Sequence, residues 1–469
     1  MHKSVITFFL CTYILSFGSF AQEIKNDYTV LQGATIFDGN GKKYEKATII
    51  LKDGRIKAIG ENLKIPAQAK LINVTGKFIT PGLVDAHVHF FQTGFYDSRP
   101  DNGDLRDTLS YFDVQAYQRN HPERYYEAYL RSGITAVYDV GGFNWSIDLQ
   151  KSAEKNLNAT HVAAAGSLIT PASRQRIATF NTPNENTMVH LDSEETGRNV
   201  VKENSSLGST GIKVWGMASE DPDFRKKIEV VADEVKKQKN KLIVHATSLD
   251  QAKLALKLGA ALLVHSVDDK IIDDEFIQLM KEKNTIYNPT LIVSRGYYNA
   301  MLAINGQPMI MKDPNRAVDE KTRKMIEGAA AFKKFFTNEF IENRLRRSAS
   351  ILAPKDSIMA INLKKLFDAG ITIVVGTDAG NPGTLHGISI YDEMEAMQKA
   401  GIPANDLIIM ATKNGAQAMG RLNDFGTLEI GKMADLIITS KDPSKDISNF
   451  RSITHVMRGG LLRPVNKKF

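Results

Sequence analysis

From Tyr28 to Ile79 apolar and polar positions alternate in short runs, among them Thr29 to Phe37, Ala47 to Leu51 and Arg55 to Ile59, with turn residues at Gly39-Asn40-Gly41 and Asp53-Gly54 between them. A period of two broken by such turns predicts β structure. After Pro81-Gly82 the texture changes. Apolar runs such as Lys241 to His245 and Ala260 to His265 alternate with helical stretches such as Leu249 to Leu258, which is the βα rhythm of a parallel sheet. Candidate strands end near His89, Val140, Ser167, Trp215, His245, His265, Val293 and Asp378, and eight such units are the number that closes a (β/α)8 barrel. Gly426 to Asp435 and Leu436 to Thr439 return to short strands. The expected α/β architecture is therefore a barrel over 81–423, flanked by a small β-sandwich built from both chain ends, 22–80 and 424–469. No repeat of fixed period and no low-complexity tract interrupts it.

The interval from Val293 to Asp378 is too long for one βα unit. Its stretch 297–353 is rich in charged and helix-forming residues, including Glu320 to Lys334 and Asn338 to Ser348, and predicts a helical insertion. Either a lid over the barrel mouth or a solvated surface feature fits that composition.

Composition narrows the class. The 469 residues are 42% hydrophobic, enough for a large enclosed core, and 60 basic against 53 acidic residues give a net charge of +7. The basic groups are dispersed rather than gathered into a stripe that could track phosphates, so no nucleic-acid partner is expected. Lys3, the apolar run Val5 to Phe17 and the small-x-small site Ser19-Phe20-Ala21 read as an export signal cleaved after Ala21, giving a periplasmic or secreted protein. A membrane anchor is the alternative, but about 13 apolar residues are too few to span a bilayer. Cys11 is the sole cysteine, so the mature chain would lack disulfides, thiolate nucleophiles and cysteine-ligated metals.

Candidate chemistry begins at His87-Val88-His89, which ends the first barrel strand. Residues i and i+2 of a strand share a face, so both imidazoles can converge on one ion. His245 and His265 also close apolar strands, and barrel enzymes assemble their sites at this rim. Four of the ten histidines thus share one rim. Asp378, in Gly376-Thr377-Asp378 at the end of the eighth strand, would face the same cavity or cap the following helix. Lys213 lies in Gly211-Ile212-Lys213-Val214-Trp215 and would point inward with Trp215. Desolvation of a buried ammonium favours the neutral amine, which can add carbon dioxide and become a carbamate able to bridge two metal ions. A salt-bridged interior lysine is the other reading.

These residues, with Thr80-Pro81-Gly82-Leu83-Val84-Asp85-Ala86-His87-Val88-His89, Gly376-Thr377-Asp378-Ala379-Gly380 and the closing Gly426-Thr427-Leu428-Glu429-Ile430-Gly431-Lys432-Met433-Ala434-Asp435-Leu436, resemble the amidohydrolase superfamily, in its imidazolonepropionase-like and Xaa-Pro dipeptidase-like branch. The resemblance covers nearly the whole mature chain. It implies a distorted barrel with a terminal β-sandwich and a paired metal centre, usually zinc. By position, His87, His89 and Asp378 would hold the more buried ion and His245 and His265 the more exposed one, with N6-carboxylated Lys213 between them. Asp378 would be ligand and proton shuttle together. The resemblance implies hydrolysis of a C–N bond by a metal-activated hydroxide, in a dipeptide, N-acyl amino acid or cyclic amide. An ester or lactone, or a catalytically silent barrel that only binds a ligand, are the alternatives; deamination fits less well because those relatives often lack the bridging lysine.

Departures from the family pattern mark the pocket. The sixth strand reads Val264-His265-Ser266-Val267-Asp268-Asp269, where dipeptidase-like relatives often show Glu-His-Gly-Thr. The loop after the third strand carries Pro171, Arg174, Gln175 and Arg176; an arginine there could bind a substrate carboxylate bidentately or be solvated. Tyr287 and Asn288 could line the pocket, and His386 could bond substrate or cap a helix. His121, His161, His190 and His455 fit no strand-end pattern and receive no role. The expected partner is a small amide or peptide, with homo-oligomerisation open.

Overall fold

In the computed structural model, which describes residues 28–99 and 105–469, the early alternation resolves into an antiparallel pair of strands, Thr29–Phe37 and Lys43–Lys52. The turn between them needs left-handed backbone at Gly39 and Gly41, φ +83 and +96, where a side chain would be strained. The expected export signal lies outside the described residues.

Both chain ends meet in one eight-stranded sheet, in the order Leu461–Pro464, Ile453–Arg458, Leu436–Thr439, Phe78–Pro81, Thr29–Phe37, Lys43–Lys52, Arg55–Gly60, with Lys70–Asn73 paired to Thr29–Phe37. Phe78–Pro81 is the junction. It pairs parallel with Thr29–Phe37 and antiparallel with Leu436–Thr439, so hydrogen bonding runs unbroken from the strands of one chain end to those of the other. Leu31, Ile36, Ile49, Ile79, Leu436 and Met457 fill the core of this sheet.

The remainder is α/β. Leu83–Val88, Ile134–Asp139 and His161–Ala164 form a parallel three-stranded sheet. A parallel six-stranded sheet runs Met188–His190, Leu168–Thr170, Ile212–Trp215, Leu242–His245, Leu262–Val264, Ile286–Asn288. Helices join the strands, and several are opened by a side chain that accepts an otherwise orphaned N–H, as Ser248 does from Gln251 and Asp273 from Phe276. The segment 371–379 is not a continuous strand, yet it ties the two sheets together: Val374 N–H donates to Tyr287 O at 2.9 Å, Ala86 N–H to Val375 O at 3.0 Å and Asp378 N–H to His87 O at 2.8 Å.

Three expected boundaries move. The seventh strand is Ile286–Asn288, and Val293 begins a helix instead of ending a strand. Pro289 has no N–H to give a ladder and Thr290 turns the chain at φ +46. The third strand breaks at Gly166, φ +73, into His161–Ala164 and Leu168–Thr170, so Ser167 lies between the pieces. The eighth strand is reduced to the bonded segment just described.

The insertion contains helices Glu320–Glu327 and Asn338–Asp368 and a 3-10 turn at Ala329–Phe335. The long helix reaches the site: Lys355 Nζ pairs with Asp268 Oδ2 at 2.5 Å, and Met359 lines the cavity above the histidines. Among the described residues no helix is long and apolar enough to cross a membrane.

Candidate metal centre

Leu83–Val88 carries His87, with 0% exposure, and delivers His89 just beyond its end, with 7%. Their Nε2 atoms face each other at 3.3 Å, and Asp378 Oδ1 lies 3.2 Å from the first and 3.0 Å from the second. Ligand atoms of His87, His265 and Asp378 all fall within 4.8 Å of one another. The His265 ring lies 5.1 Å from that of His87 and 4.3 Å from that of His245, centroid to centroid. Lys213, 1% exposed, lines the same cavity.

Electrostatics follow from burial. Desolvation pulls His87 down to about 4 and His245 to about 3, and holds His265 well below its ordinary value, so these imidazoles are neutral near pH 7. Desolvation also brings Lys213 down to about 7, against the attraction of Asp378 and Asp139. Burial works to raise the Asp378 carboxyl, but the imidazoles around it, His87 first and then His89 and His265, outweigh burial and keep the group well below its ordinary value.

The donor set fits divalent ions, which require neutral imidazoles and ionised carboxylates. Gly141 O, which can only accept, sits 2.7 Å from His89 Nδ1. The proton is therefore on Nδ1, and the Nε2 lone pair faces inward. His87 Nδ1, His245 Nδ1 and Asp378 Oδ1 are buried without a hydrogen-bond partner among the described residues. The Asp378 Oδ1 orphan is costly, and a cation between it and the two Nε2 atoms would relieve it.

Positioning is local and strained. Asp85 Oδ1 accepts the N–H groups of His87 at 3.3 Å and Thr377 at 3.0 Å, while Oδ2 accepts the Thr377 hydroxyl at 2.7 Å. One buried carboxylate thus fastens both ligand-bearing segments. His265 and Asp378 both have left-handed backbones, φ +75 and +58, the kind of strain that persists where surrounding structure enforces it.

The cavity has a volume of about 250 Å³. Phe91, Leu168, Phe180, Met188 and Trp215 give it an apolar wall, and Gln92, Arg99, Tyr297 and Asn381 a polar corner. Asn381 ties that corner to the centre. Its Oδ1 accepts from Arg99 Nη2 at 3.2 Å and from Tyr297 OH at 2.7 Å, and its Nδ2 donates to Asp378 O at 3.3 Å.

The expected substrate residues lie elsewhere. Arg174 has 76% side-chain exposure and pairs with Asp192. Arg176 stacks at 5.9 Å on the Trp215 ring without lining the cavity. The short helix Arg174–Ile177 buries Ile177 and turns both arginines, with Gln175, outward. Tyr287 is fully buried but does not line the cavity. His386 lies behind the wall, with Nδ1 2.6 Å from Tyr129 OH, Nε2 donating to Gln92 O at 2.9 Å and its ring 3.9 Å from that of Tyr125. Arg99, Gln92 and Asn381 were missed, although the first two share the loop that follows His89 and the third comes three residues after Asp378.

The chain is 25% identical over 422 residues to an imidazolonepropionase of Geobacillus sp. (strain WCH70), covering 84% of each chain. Its fold is similar to that of a Xaa-Pro dipeptidase crystallised with methionine in the active site, with a TM-score of 0.70, 22% identity and coverage of 93% of this chain and 100% of the other. It is also similar to the A. niger ochratoxinase, with a TM-score of 0.67, 21% identity and coverage of 93% and 96%. Residues 78–462 match the sequence model of the amidohydrolase family, and the chain belongs to that family, as a hydrolase acting on carbon–nitrogen bonds.

Proposed function

We propose that the chain hydrolyses an amide bond in a small molecule of the size of a dipeptide, an N-acyl amino acid or a cyclic amide. Two divalent ions, zinc in the first instance, would be held by His87, His89 and Asp378 and by His245 and His265, with carboxylated Lys213 between them. The observation that carries this reading is the approach of His87, His265 and Asp378 to within 4.8 Å, with no described hydrogen-bond partner for Asp378 Oδ1. When bound, such ions supply a hydroxide at neutral pH and polarise the carbonyl under attack.

The protein's own groups do the rest. Asp378 is ionised and sits at the edge of the centre, so its carboxylate takes the nucleophile's proton and returns it to the leaving nitrogen. Lys213, brought to about 7 by burial, offers a neutral amine that adds carbon dioxide and releases one proton to give an anionic carbamate. Arg99 and Asn381 orient polar substrate groups, while Phe91 and Trp215 exclude water from the reacting face. The cavity of about 250 Å³ suits a substrate of this size. Export of the chain belongs to the same proposal, and sequencing the mature N-terminus tests cleavage after Ala21.

The central test counts metal ions per chain by elemental mass spectrometry, in protein made with bicarbonate, for wild type and Lys213→Ala. About two ions in wild type and a clear loss in the variant support the bridged pair, and a panel of amides and esters then identifies the bond cleaved. One ion in both would overturn the bridge; none in either would overturn the metal reading.

A further inference from the structure

Glu393, on the helix Ser389–Lys399, has 0% exposure and takes no part in the chemistry above. Its Oε1 accepts the Leu291 N–H at 2.9 Å and its Oε2 the Ile292 N–H at 3.1 Å. These amides stand at the entrance to the helix Val293–Ile304, whose own cap residue, Ile292, supplies no side-chain hydrogen bond. The first N–H groups of a helix need an acceptor. Glu393 supplies it from a different element, with a carboxyl that burial pushes up to about 8 against these two bonds.

The turn held in this way is the one that touches His265. Thr290, with φ +46, places its Oγ1 2.7 Å from His265 Nδ1. Pro289 O accepts the Ser266 hydroxyl at 2.9 Å, and Asn288 O accepts the His265 N–H at 2.9 Å. Val293, Ser294 and Tyr297, just beyond the turn, line the cavity. One interior carboxylate therefore governs a turn that grips His265 on its ring, its backbone and the backbone's next residue.

We propose that Glu393 is a positioning residue for the metal centre: by fixing the Pro289–Ile292 turn it fixes the Thr290 hydroxyl, and through it the direction in which the His265 ring presents Nε2. This inference rests on the metal-centre reading. Partners of the non-ligating nitrogen of a metal-binding histidine commonly govern affinity by about 10- to 100-fold. Glu393 stands one bond further out, so about 10-fold is expected. A carboxylate that only capped the helix would change stability and leave affinity alone.

Zinc affinity of the metal-stripped full chain, measured by competition with a chromophoric chelator, separates these roles. The proteins are wild type, Glu393→Gln, Thr290→Val and the double variant. The expected result is about 10-fold weaker binding of one of two zinc ions in each single variant, with the double no weaker than the worse single, because both act on the same contact. Should Glu393→Gln fail to fold, Glu393→Asp, which withdraws the carboxylate by one methylene, carries the same expectation. Wild-type affinity in a folded Glu393 variant, or losses that multiply in the double, would overturn the proposal. A wild type that takes up no zinc would overturn the metal-centre reading and this inference with it; two tightly bound ions in every protein would overturn the positioning role alone.

Discussion

His161 Nε2 stands 2.8 Å from Asp435 Oδ2 although the residues are 274 positions apart, and neither is exposed by more than 2%. On the other side of the ring, Nδ1 lies 2.6 Å from Glu154 Oε1, and Arg421 reaches that carboxylate at 3.0 Å. Arg458 comes within 3.0 Å of the same Nδ1, and the ring stacks on Phe425 at 4.4 Å. A strand of the central α/β unit is thereby locked to the sheet formed from the chain ends. Asp435 also faces the charge of the buried Arg458 guanidinium, and breaking one partner of a buried charged pair leaves the other uncompensated. Asp435→Asn is expected to cost about 3 kcal/mol in urea unfolding at pH 7; a cost below about 1 kcal/mol would show that the tether is incidental.

Acid should weaken the fold in two overlapping windows. Burial holds His386 at about 3. Between about 6.5 and 3 the unfolded chain therefore carries a proton at this position that the folded chain refuses, and stability falls as pH falls. Glu154 is brought to about 2 because its bonds to His161 and Arg421 outweigh desolvation, so its contribution is present above about 4.5 and lost as pH drops toward 2. Urea midpoints taken at half-unit pH steps should lose slope between pH 6.5 and 4.5 in His386→Gln, and between 4.5 and 2 in Glu154→Gln. Unchanged slopes in both variants would place the acid sensitivity elsewhere.

The centre was legible because its chemistry sits where simple periods end. His87 lies on a strand and His89 two residues later, just beyond its end, and His245 ends a run of apolar positions, so a period of two and the rim rule bring them together. The contribution of both chain ends to one sheet was readable from the return of short strands after Gly426. Other features depend on contacts distant in sequence. Arg174 and Arg99 both follow strands, and nothing local says that Ser173 caps a helix that turns Arg174 outward while Asn381 holds Arg99 at the cavity. The apolar Leu291-Ile292-Val293 reads as a strand until Glu393, about a hundred residues later, claims two of its amides. Left-handed His265 and Asp378 are against local preference and are imposed by their surroundings.

The two arginines give a direct contrast. Arg99 is 3% exposed and lines the cavity, whereas Arg174 is on the outer surface. A charge-assisted hydrogen bond to substrate is worth about 1.5–3 kcal/mol. On the best amide of the panel, Arg99→Met should lower kcat/KM by about 10- to 100-fold, and Arg174→Ala should stay within about 2-fold. A larger loss for Arg174→Ala than for Arg99→Met, in steady-state kinetics, would reverse the assignment of the polar corner.

Metal removal should be felt in stability before it is felt in any assay of turnover. His87 Nε2, His89 Nε2 and Asp378 Oδ1 converge at 3.0–3.3 Å, with the His89 proton committed to Gly141 O. An ion that binds only the folded chain stabilises it by about 2.7 kcal/mol when free metal is 100 times Kd. Chelator treatment should therefore lower the unfolding free energy by about 3 kcal/mol, and zinc should restore it. Magnesium should not, because it prefers oxygen ligands and retains its water, whereas this cluster offers chiefly imidazole nitrogen. Asp378→Asn removes the anionic ligand while keeping its volume, so zinc should no longer restore stability. Recovery with magnesium equal to that with zinc, or full recovery in Asp378→Asn, would mean that the ion sits elsewhere in the molecule.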